Sequence, residues 1–340
     1  MITGDHKDTA AAIARELNII KNESEVITGN ELNAIQDKDF EALIANYSVY
    51  ARVTPEHKMK IVNTWRKLGE VIAMTGDGVN DAPALKAADI GIGMGRTGTE
   101  VAKSVSDMIL ADDNFATIIV AVEEGRKIYR NILKSVQFLL SSNLSEIITL
   151  FIGTLLNWTI LFPIHILWIN LVTDTLPALA LGAEGADKDI MADNRNRKHR
   201  SLFAGGFGSA ILYQGMLQGL LTLFSYYIGL TLYSEDIATT MAFVTLGLIQ
   251  LVHTLNVRSA DSLLKIGFLS NKYLIGAIAL SAILQMMVIW NPALHGLFKV
   301  TYLSPAQWLI VLGISVSIIP FVEIVKAFQR FRGQVERLPL

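Results

Sequence analysis

Two pairs of carboxylates in this 340-residue sequence occupy positions where acid side chains meet cations. The first pair, Asp77 and Asp81, lies in Met74-Thr75-Gly76-Asp77-Gly78-Val79-Asn80-Asp81-Ala82-Pro83-Ala84-Leu85. The apolar run Val71-Ile72-Ala73-Met74 is short enough for a buried strand and stops at a Thr-Gly-Asp-Gly turn. Asn80, Asp81 and Pro83 then supply the cap and first turn of a helix beginning near Ala82. Both acids therefore fall at the carboxyl end of a strand, where open α/β sheets bind their ligands. Gly76 and Gly78 let the main chain approach a bulky anion, and hard carboxylates suit Mg²⁺. A helix-capping turn alone accounts for one aspartate but not for the whole run.

The second pair, Glu146 and Asp174, interrupts long apolar stretches. Asn143 and Glu146 are three apart, a spacing that places them on one helix face. Asn170, Thr173 and Asp174 share a face in the same way, and Pro177 is expected to break or kink their helix. A carboxylate at membrane depth is costly unless paired or protonated. Two of them on consecutive helices imply a shared cation site. Interhelical hydrogen bonding explains Ser141 and Ser142 but not the acids. Oxygen-only ligands favour Ca²⁺ or another hard cation over Zn²⁺ or Cu⁺.

The elements that must hold these residues divide along the chain. Hydrophobic residues make up 51% and charged residues 18%, with mean hydropathy +0.41, too apolar for an ordinary soluble protein and too polar for a bare membrane bundle. Charges are evenly spread up to about Val120, and long apolar stretches follow Ile132. We therefore expect a soluble α/β domain with a parallel sheet over 1–122 and an all-α membrane domain over 123–340. In the first, Met1-Ile2-Thr3-Gly4-Asp5 reads as a strand end turning into a helix, and Val49-Tyr50-Ala51-Arg52-Val53 as a strand. A helix over Pro55–Lys67 puts Lys58 near its positive end, a placement suited to facing an anion. Ala88 to Gly95 adds a strand and a glycine loop whose spacing does not fit a dinucleotide fingerprint.

In the second part, Asp112-Asp113-Asn114-Phe115 caps a helix reaching about Leu156, roughly 60 Å long and twice a bilayer core. Apolar segments at about 163–182, 207–232, 237–257, 272–290 and 305–325 bring the spans to six. Basic residues mark one side: Lys188, Arg195, Arg197, Lys198 and Arg200; then Arg258, Lys265 and Lys272; then Lys326, Arg330, Arg332 and Arg337. The opposite loops hold only Lys299, so the soluble part and C-terminus are expected in the cytoplasm. A net charge of −2 argues against a nucleic-acid partner. The absence of cysteine excludes disulfides and thiolate metal sites. Met1 to Asp5 lacks the basic and apolar regions of a signal peptide.

The run from Thr75 to Leu85 resembles the hinge motif of P-type cation-transporting ATPases, with a weaker echo in other haloacid-dehalogenase-like phosphatases. Arg52, Val53, Pro55, Lys58, Ile61 and Val62 match that family's Arg-Val-x-Pro-x-x-Lys-x-x-Ile-Val pattern. The resemblance implies a partial haloacid-dehalogenase-like phosphorylation domain followed by membrane helices equivalent to the fifth to tenth. It implies Mg²⁺ on Asp77, with Asn80 and Asp81 organising the site. Thr3 and Lys58 would stabilise the transferred phosphoryl group, and Thr3-Gly4-Asp5 and Arg52 would face ATP and phosphate. The family's phosphorylated Asp-Lys-Thr-Gly-Thr loop does not occur here, nor do the nucleotide-binding and actuator domains or the first four membrane helices. The expectation is a C-terminal portion, inactive without its missing N-terminal portion.

Asn170-Leu171-Val172-Thr173-Asp174 resembles the sixth helix of calcium pumps, and Asn143 with Glu146 matches the fifth. Gln250 stands where the sarcoplasmic-reticulum type has glutamate and is similar to plasma-membrane-type pumps. The resemblance therefore implies a calcium-transporting ATPase in the bilayer of the plasma (cell) membrane. One tightly bound Ca²⁺ is expected where Asn170 and Asp174 join the glutamate that the resemblance implies on the missing fourth helix, with Asn143, Glu146 and Thr173 lining a weaker or vestigial neighbour. The competing readings are a membrane-anchored phosphatase, a non-enzymatic remnant or partner of a split pump, and export of Mn²⁺, Na⁺ or H⁺.

Overall fold

Short strands alternating with amphipathic helices build the first part of the chain, and the computed structural model describes residues 1–185, 190–191, 206–259 and 261–331. Two units emerge, one running from Met1 to Val122 and the other beginning at Glu123. The first carries α1 (Lys7–Glu16), β1 (Val26–Thr28), α2 (Gly29–Ala34), α3 (Asp37–Leu43), β2 (Val49–Ala51) and α4 (Pro55–Lys67). It continues with β3 (Ala73–Gly76), α5 (Ala82–Ala87), β4 (Ile90–Met94), α6 (Glu100–Val105) and β5 (Met108–Leu110).

All strand pairing is parallel, but the expected sheet is divided into two among the described residues. β1 pairs with β2 in the register Val26↔Val49, and Ile2 adds a bridge to Tyr50. The other sheet has the order β3-β4-β5, with Met74 opposite Gly91 and Gly93 opposite Ile109. At the bridge, Tyr50 N donates to Met1 O at 2.8 Å and Thr3 N to Tyr50 O at 2.9 Å, while the Ile2 side chain packs among two apolar clusters, one around Phe40 and Tyr50 and one around Met74 and Leu85. Side-chain packing, not a ladder, links the two sheets.

Local chemistry sets the elements closely. Thr54 precedes Pro55 at the first turn of α4, and its amide donates to His57 Nδ1 at 3.0 Å. The other ring nitrogen then carries the proton and donates to Asn33 Oδ1 at 2.8 Å, so His57 is structural. β3 starts two residues later than the apolar run predicts, because Val71 is exposed and Gly76 still pairs with Gly93. Asp113, at φ +54°, gathers the loop after β4. Its Oδ1 accepts from the amides of Gly95 (2.7 Å) and Arg96 (2.9 Å), and its Oδ2 from the amide and hydroxyl of Thr97 (2.8 and 2.9 Å).

The second unit is helical among its described residues. α7 (Phe115–Leu155) runs 41 residues, about 62 Å at 1.5 Å per residue. After it come α8 (Pro163–Trp168), a π-helical stretch (Ile169–Asp174), α9 (Thr175–Leu181), α10 (Phe207–Leu232) and α11 (Glu235–Val257). α12 (Leu263–Ile266), α13 (Lys272–Trp290), α14 (Pro292–Phe298) and α15 (Pro305–Phe331) complete it. Among the described residues six helical segments are long and apolar enough to cross a bilayer, with Pro163–Leu181 counting as one. This is a multi-pass membrane protein. The basic residues Lys188, Arg195, Arg197, Lys198, Arg200, Arg332 and Arg337 lie outside the described residues.

α11 is the buried axis of this unit: it packs against α10, α13, α15 and the π-helical stretch. Gly215 and Gly219 on α10 let that helix lie directly on α7. A Cβ at Gly215 would stand 2.8 Å from the side chain of Leu144, and one at Gly219 would stand 3.1 Å from that of Ile148. Small residues at this spacing are a common solution to close helix packing in lipid.

The hydrogen bonds to Asp113, led by that from the Arg96 amide, hold its carboxyl down at about 2. Its stabilising effect is therefore complete above the ordinary carboxylate value and lost as pH falls towards about 2. The protection factors of the Arg96 and Thr97 amides should fall over that acid interval, while Gly95 keeps its second acceptor, Leu110 O at 2.8 Å. Asp113→Ala should show low protection at Arg96 and Thr97 already at neutral pH. Unchanged protection in the variant would contradict the clamp.

Candidate functional site

The end of β3 forms the first candidate site. Gly76 is required there, since a Cβ at this position would lie 2.5 Å from Asp81 Cβ. Asp81 is buried, and its Oδ2 accepts from the amides of Asp77 (3.3 Å) and Gly78 (3.2 Å). Its Oδ1 meets Lys58 Nζ at 2.5 Å. Asp81 is thus committed to shaping the turn and to one lysine. Asp77 differs: it is exposed, and its carboxylate has no hydrogen bond or ion pair among the described residues. Its main-chain oxygen accepts from Thr99 N at 2.8 Å, which ties the turn to the start of α6.

An accessible, uncommitted carboxylate beside a lysine–aspartate pair fits Mg²⁺, which takes one or two carboxylates and draws its other ligands from water and substrate phosphates. No cluster of three or more His, Asp or Glu side chains forms a protein-only metal centre among the described residues. Asn80 is exposed on the same turn.

Thr3, Gly4, Asp5 and Arg52 gather at the end of the other sheet. Thr3 Oγ1 donates to Asp5 Oδ2 at 2.7 Å, and the Arg52 amide donates to Asp5 O at 3.0 Å. Arg52 adopts φ +50°, a left-handed conformation that is uncommon outside glycine. The family resemblance joins these residues to Lys58 and Asp77 in one site. Here they form a separate hydrogen-bonded group, with no bond to Asp77 or Asp81 among the described residues.

The second candidate site lies within the helical unit. Glu146 of α7 is buried, and its Oε2 and Oε1 accept from Asn170 Nδ2 and Gln250 Nε2, each at a long 3.4 Å. Thr173 Oγ1 lies 2.9 Å from both Gln250 Oε1 and Ile169 O, and its single proton serves one of them at a time. Asp174 is 1% exposed, and among the described residues neither of its carboxylate oxygens has a hydrogen-bond partner. A buried carboxylate in that condition is strongly unfavourable without a cation or a proton. Together with three neutral amide and hydroxyl side chains, the two acids make a hard, all-oxygen donor set of the kind that Ca²⁺ takes.

Asn143 does not join them. The buried stripe of α7 runs through Ser142, Ser145, Glu146 and Thr149, and Asn143 lies about 110° round the helix from its centre. It is exposed. The helix irregularity expected at Pro177 begins earlier, in the π-helical turn Ile169–Asp174, and Pro177 itself sits inside α9. Sequence reasoning passed over Ser281 and Gln285 of α13, both fully buried. The signal was available: they are polar residues four apart in an apolar span.

Comparison with known proteins agrees with both halves. Residues 158–328 match the family described as cation transporting ATPase, C-terminus, and residues 1–89 match the haloacid dehalogenase-like hydrolases. A calcium-transporting ATPase of Bacillus cereus is 48% identical over 96% of this chain and 39% of its own length. One from Bacillus subtilis is 43% identical over 93% of this chain and 36% of its own. The calcium-transporting ATPase type 2C member 1 of Bos taurus is 38% identical over 99% of the chain and 36% of its own. The chain thus spans well under half the length of these relatives.

The pairing at the β3 turn can be tested on its own. Lys58→Met should leave Asp81 buried without its ion partner and lower stability by about 1–3 kcal/mol. The double variant Lys58→Met/Asp81→Asn should lose less than the sum of the single losses in thermal melts. Strict additivity would show that the two side chains are not coupled.

Proposed function

Because the chain belongs to the cation-transporting P-type ATPases, we propose that it is the C-terminal portion of a pump that uses ATP to drive Ca²⁺ across a membrane. The observation that carries this reading is Asp174, a buried carboxylate with no partner, beside Glu146, Asn170, Thr173 and Gln250. Identity to calcium-transporting ATPases along nearly the whole chain supports Ca²⁺ over Mn²⁺, Na⁺ or H⁺ as cargo. It also favours a pump over a membrane-anchored phosphatase or a non-enzymatic remnant. In this reading residues 1–122 belong to the phosphorylation domain and 123–340 to the membrane domain. The soluble part and C-terminus are cytoplasmic, and the membrane is the plasma membrane.

At the phosphorylation site Asp77 would hold Mg²⁺, which when bound neutralises charge on the phosphoryl oxygens. Asp81 fixes the turn through the amides of Asp77 and Gly78, and so aims the Asp77 carboxylate. Lys58, held by Asp81, offers its ammonium to the phosphoryl group, and Asn80 adds an amide. Thr3, Gly4, Asp5 and Arg52 would meet ATP and phosphate from the other sheet. This is catalysis by positioning and charge, as phosphoryl transfer requires. The acceptor aspartate of the family's Asp-Lys-Thr-Gly-Thr loop is not among these 340 residues. In the membrane, one Ca²⁺ would bind at Asn170 and Asp174, with Glu146, Thr173 and Gln250 beside it; breaking the long Asn170–Glu146 hydrogen bond would let the Asn170 amide oxygen turn inward.

Three experiments test the reading. In the full-length pump, Asp77→Asn should abolish phosphorylation from ATP while leaving equilibrium ⁴⁵Ca binding at one ion per phosphorylation site. Asp174→Asn should remove that ion and Ca²⁺-dependent phosphorylation, while phosphorylation from inorganic phosphate persists. Normal Ca²⁺ binding in Asp174→Asn would defeat the proposed cation site, and normal phosphoenzyme in Asp77→Asn the proposed Mg²⁺ site. The 340 residues alone, incubated with labelled ATP and Mg²⁺ and quenched in acid, should retain no label. Retained label would reveal an acceptor within this chain.

A further inference from the structure

We infer that Ser281 and Gln285 of α13 are positioning residues for the intramembrane cation site, acting through the π-helical register of Ile169–Asp174; the inference rests on reading that site as the transport site. Neither residue touches the candidate ligands. Ser281 Oγ donates to the main-chain oxygen of Val172 at 2.7 Å. Trp168 Nε1 donates to Gln285 Oε1 at 2.9 Å. The other end of Gln285 donates to Phe243 O at 3.4 Å, and Gly247 makes room for it, since a Cβ there would stand 3.1 Å from the Gln285 amide group. Two side chains one turn apart on α13 thus clasp the π-helical stretch at Trp168, where it begins, and at Val172, just before Thr173 and Asp174.

The need for the clasp comes from the main chain. A π-helical turn pairs each carbonyl with the amide five residues on and is a rare, weakly held arrangement. For Val172 that residue is Pro177, which has no N–H. In an α-helical register the donor would instead be Leu176, and no outside hydroxyl would be needed. The Ser281 hydroxyl therefore favours the π register selectively, by supplying a donor that only this register lacks. The register decides where the ligands point. Taking up the extra residue of the π turn would rotate the downstream part of the helix by about 100°, the angle per residue of an α-helix. Thr173 and Asp174 would then leave Gln250 and Glu146. The Thr175 hydroxyl, donating to Asn170 O at 2.8 Å, braces the same turn from its far side.

The test compares Ser281→Thr with Ser281→Val in the full-length pump. The two side chains share size and shape and differ in the hydroxyl. Half-saturation for Ca²⁺-dependent phosphorylation from ATP should rise about 3- to 10-fold in Ser281→Val, the loss of one buried hydrogen bond, and stay near wild type in Ser281→Thr. Maximal phosphorylation from inorganic phosphate without Ca²⁺ should be unchanged in both, which separates positioning from damage to the fold. Equal half-saturation in Thr and Val variants would overturn the inference. Asp174→Asn, run alongside, separates the positioning role from the site itself. If it abolishes Ca²⁺ dependence and Ser281→Val shifts nothing, only the positioning role falls. If Asp174→Asn also binds Ca²⁺ normally, the site itself is misplaced.

Discussion

Asp174 is a carboxylate buried inside the helical unit, and among the described residues neither of its oxygens has a hydrogen-bond partner. A charge in that position is tolerated only if the chain can offer it to a cation. The neighbours are suited to that. Glu146 adds a second acid but holds its own hydrogen bonds at a long 3.4 Å, so the carboxylate is restrained rather than neutralised. Gln250 and Asn170 contribute amides that present either a donor or an acceptor. The group is therefore only partly satisfied by its own hydrogen bonds.

The first unit shows the opposite arrangement. There one acid stays open to solvent while a second is committed to structure. Asp81 is buried, bonded to two amides and paired with Lys58, and it fills the space that the missing side chain of Gly76 leaves. Asp77, four residues earlier, keeps its carboxylate free. The same residue type serves two ends, and the local environment decides which.

What could be read from the sequence tracks how local each cause is. The α4 boundaries follow from Thr54, Pro55 and the helical period alone, and the β3 turn follows from glycines and caps within a dozen residues. The division of the sheet could not be read, because strand pairing is a long-range choice and the Met1–Thr3 segment bridges only β2 among the described residues. Asn143 shows the limit of spacing arguments. Three residues apart on a helix fixes an angle between two side chains, but not which of them faces inward. The π-helical turn escaped because Pro177 announces an interruption without giving its position. Ser281 and Gln285 escaped because lone polar residues in an apolar span resemble ordinary interhelical glue until their partners are known.

The lengths of the spans carry a further consequence. α7, at about 62 Å, exceeds any bilayer core and can meet a thicker or thinner membrane by shifting along its own axis. The segment Pro163–Leu181 has no such reserve. Its 19 residues would reach only about 28 Å even if fully α-helical, close to the hydrocarbon thickness itself. α13, also 19 residues, is as short, so hydrophobic mismatch falls on these two segments, which meet where Ser281 holds Val172 O beside Thr173 and Asp174. If the proposed site is the transport site, lipid chain length would become an input to its cation affinity, and bilayers of different thickness would tune the same polypeptide without any change in its ligands.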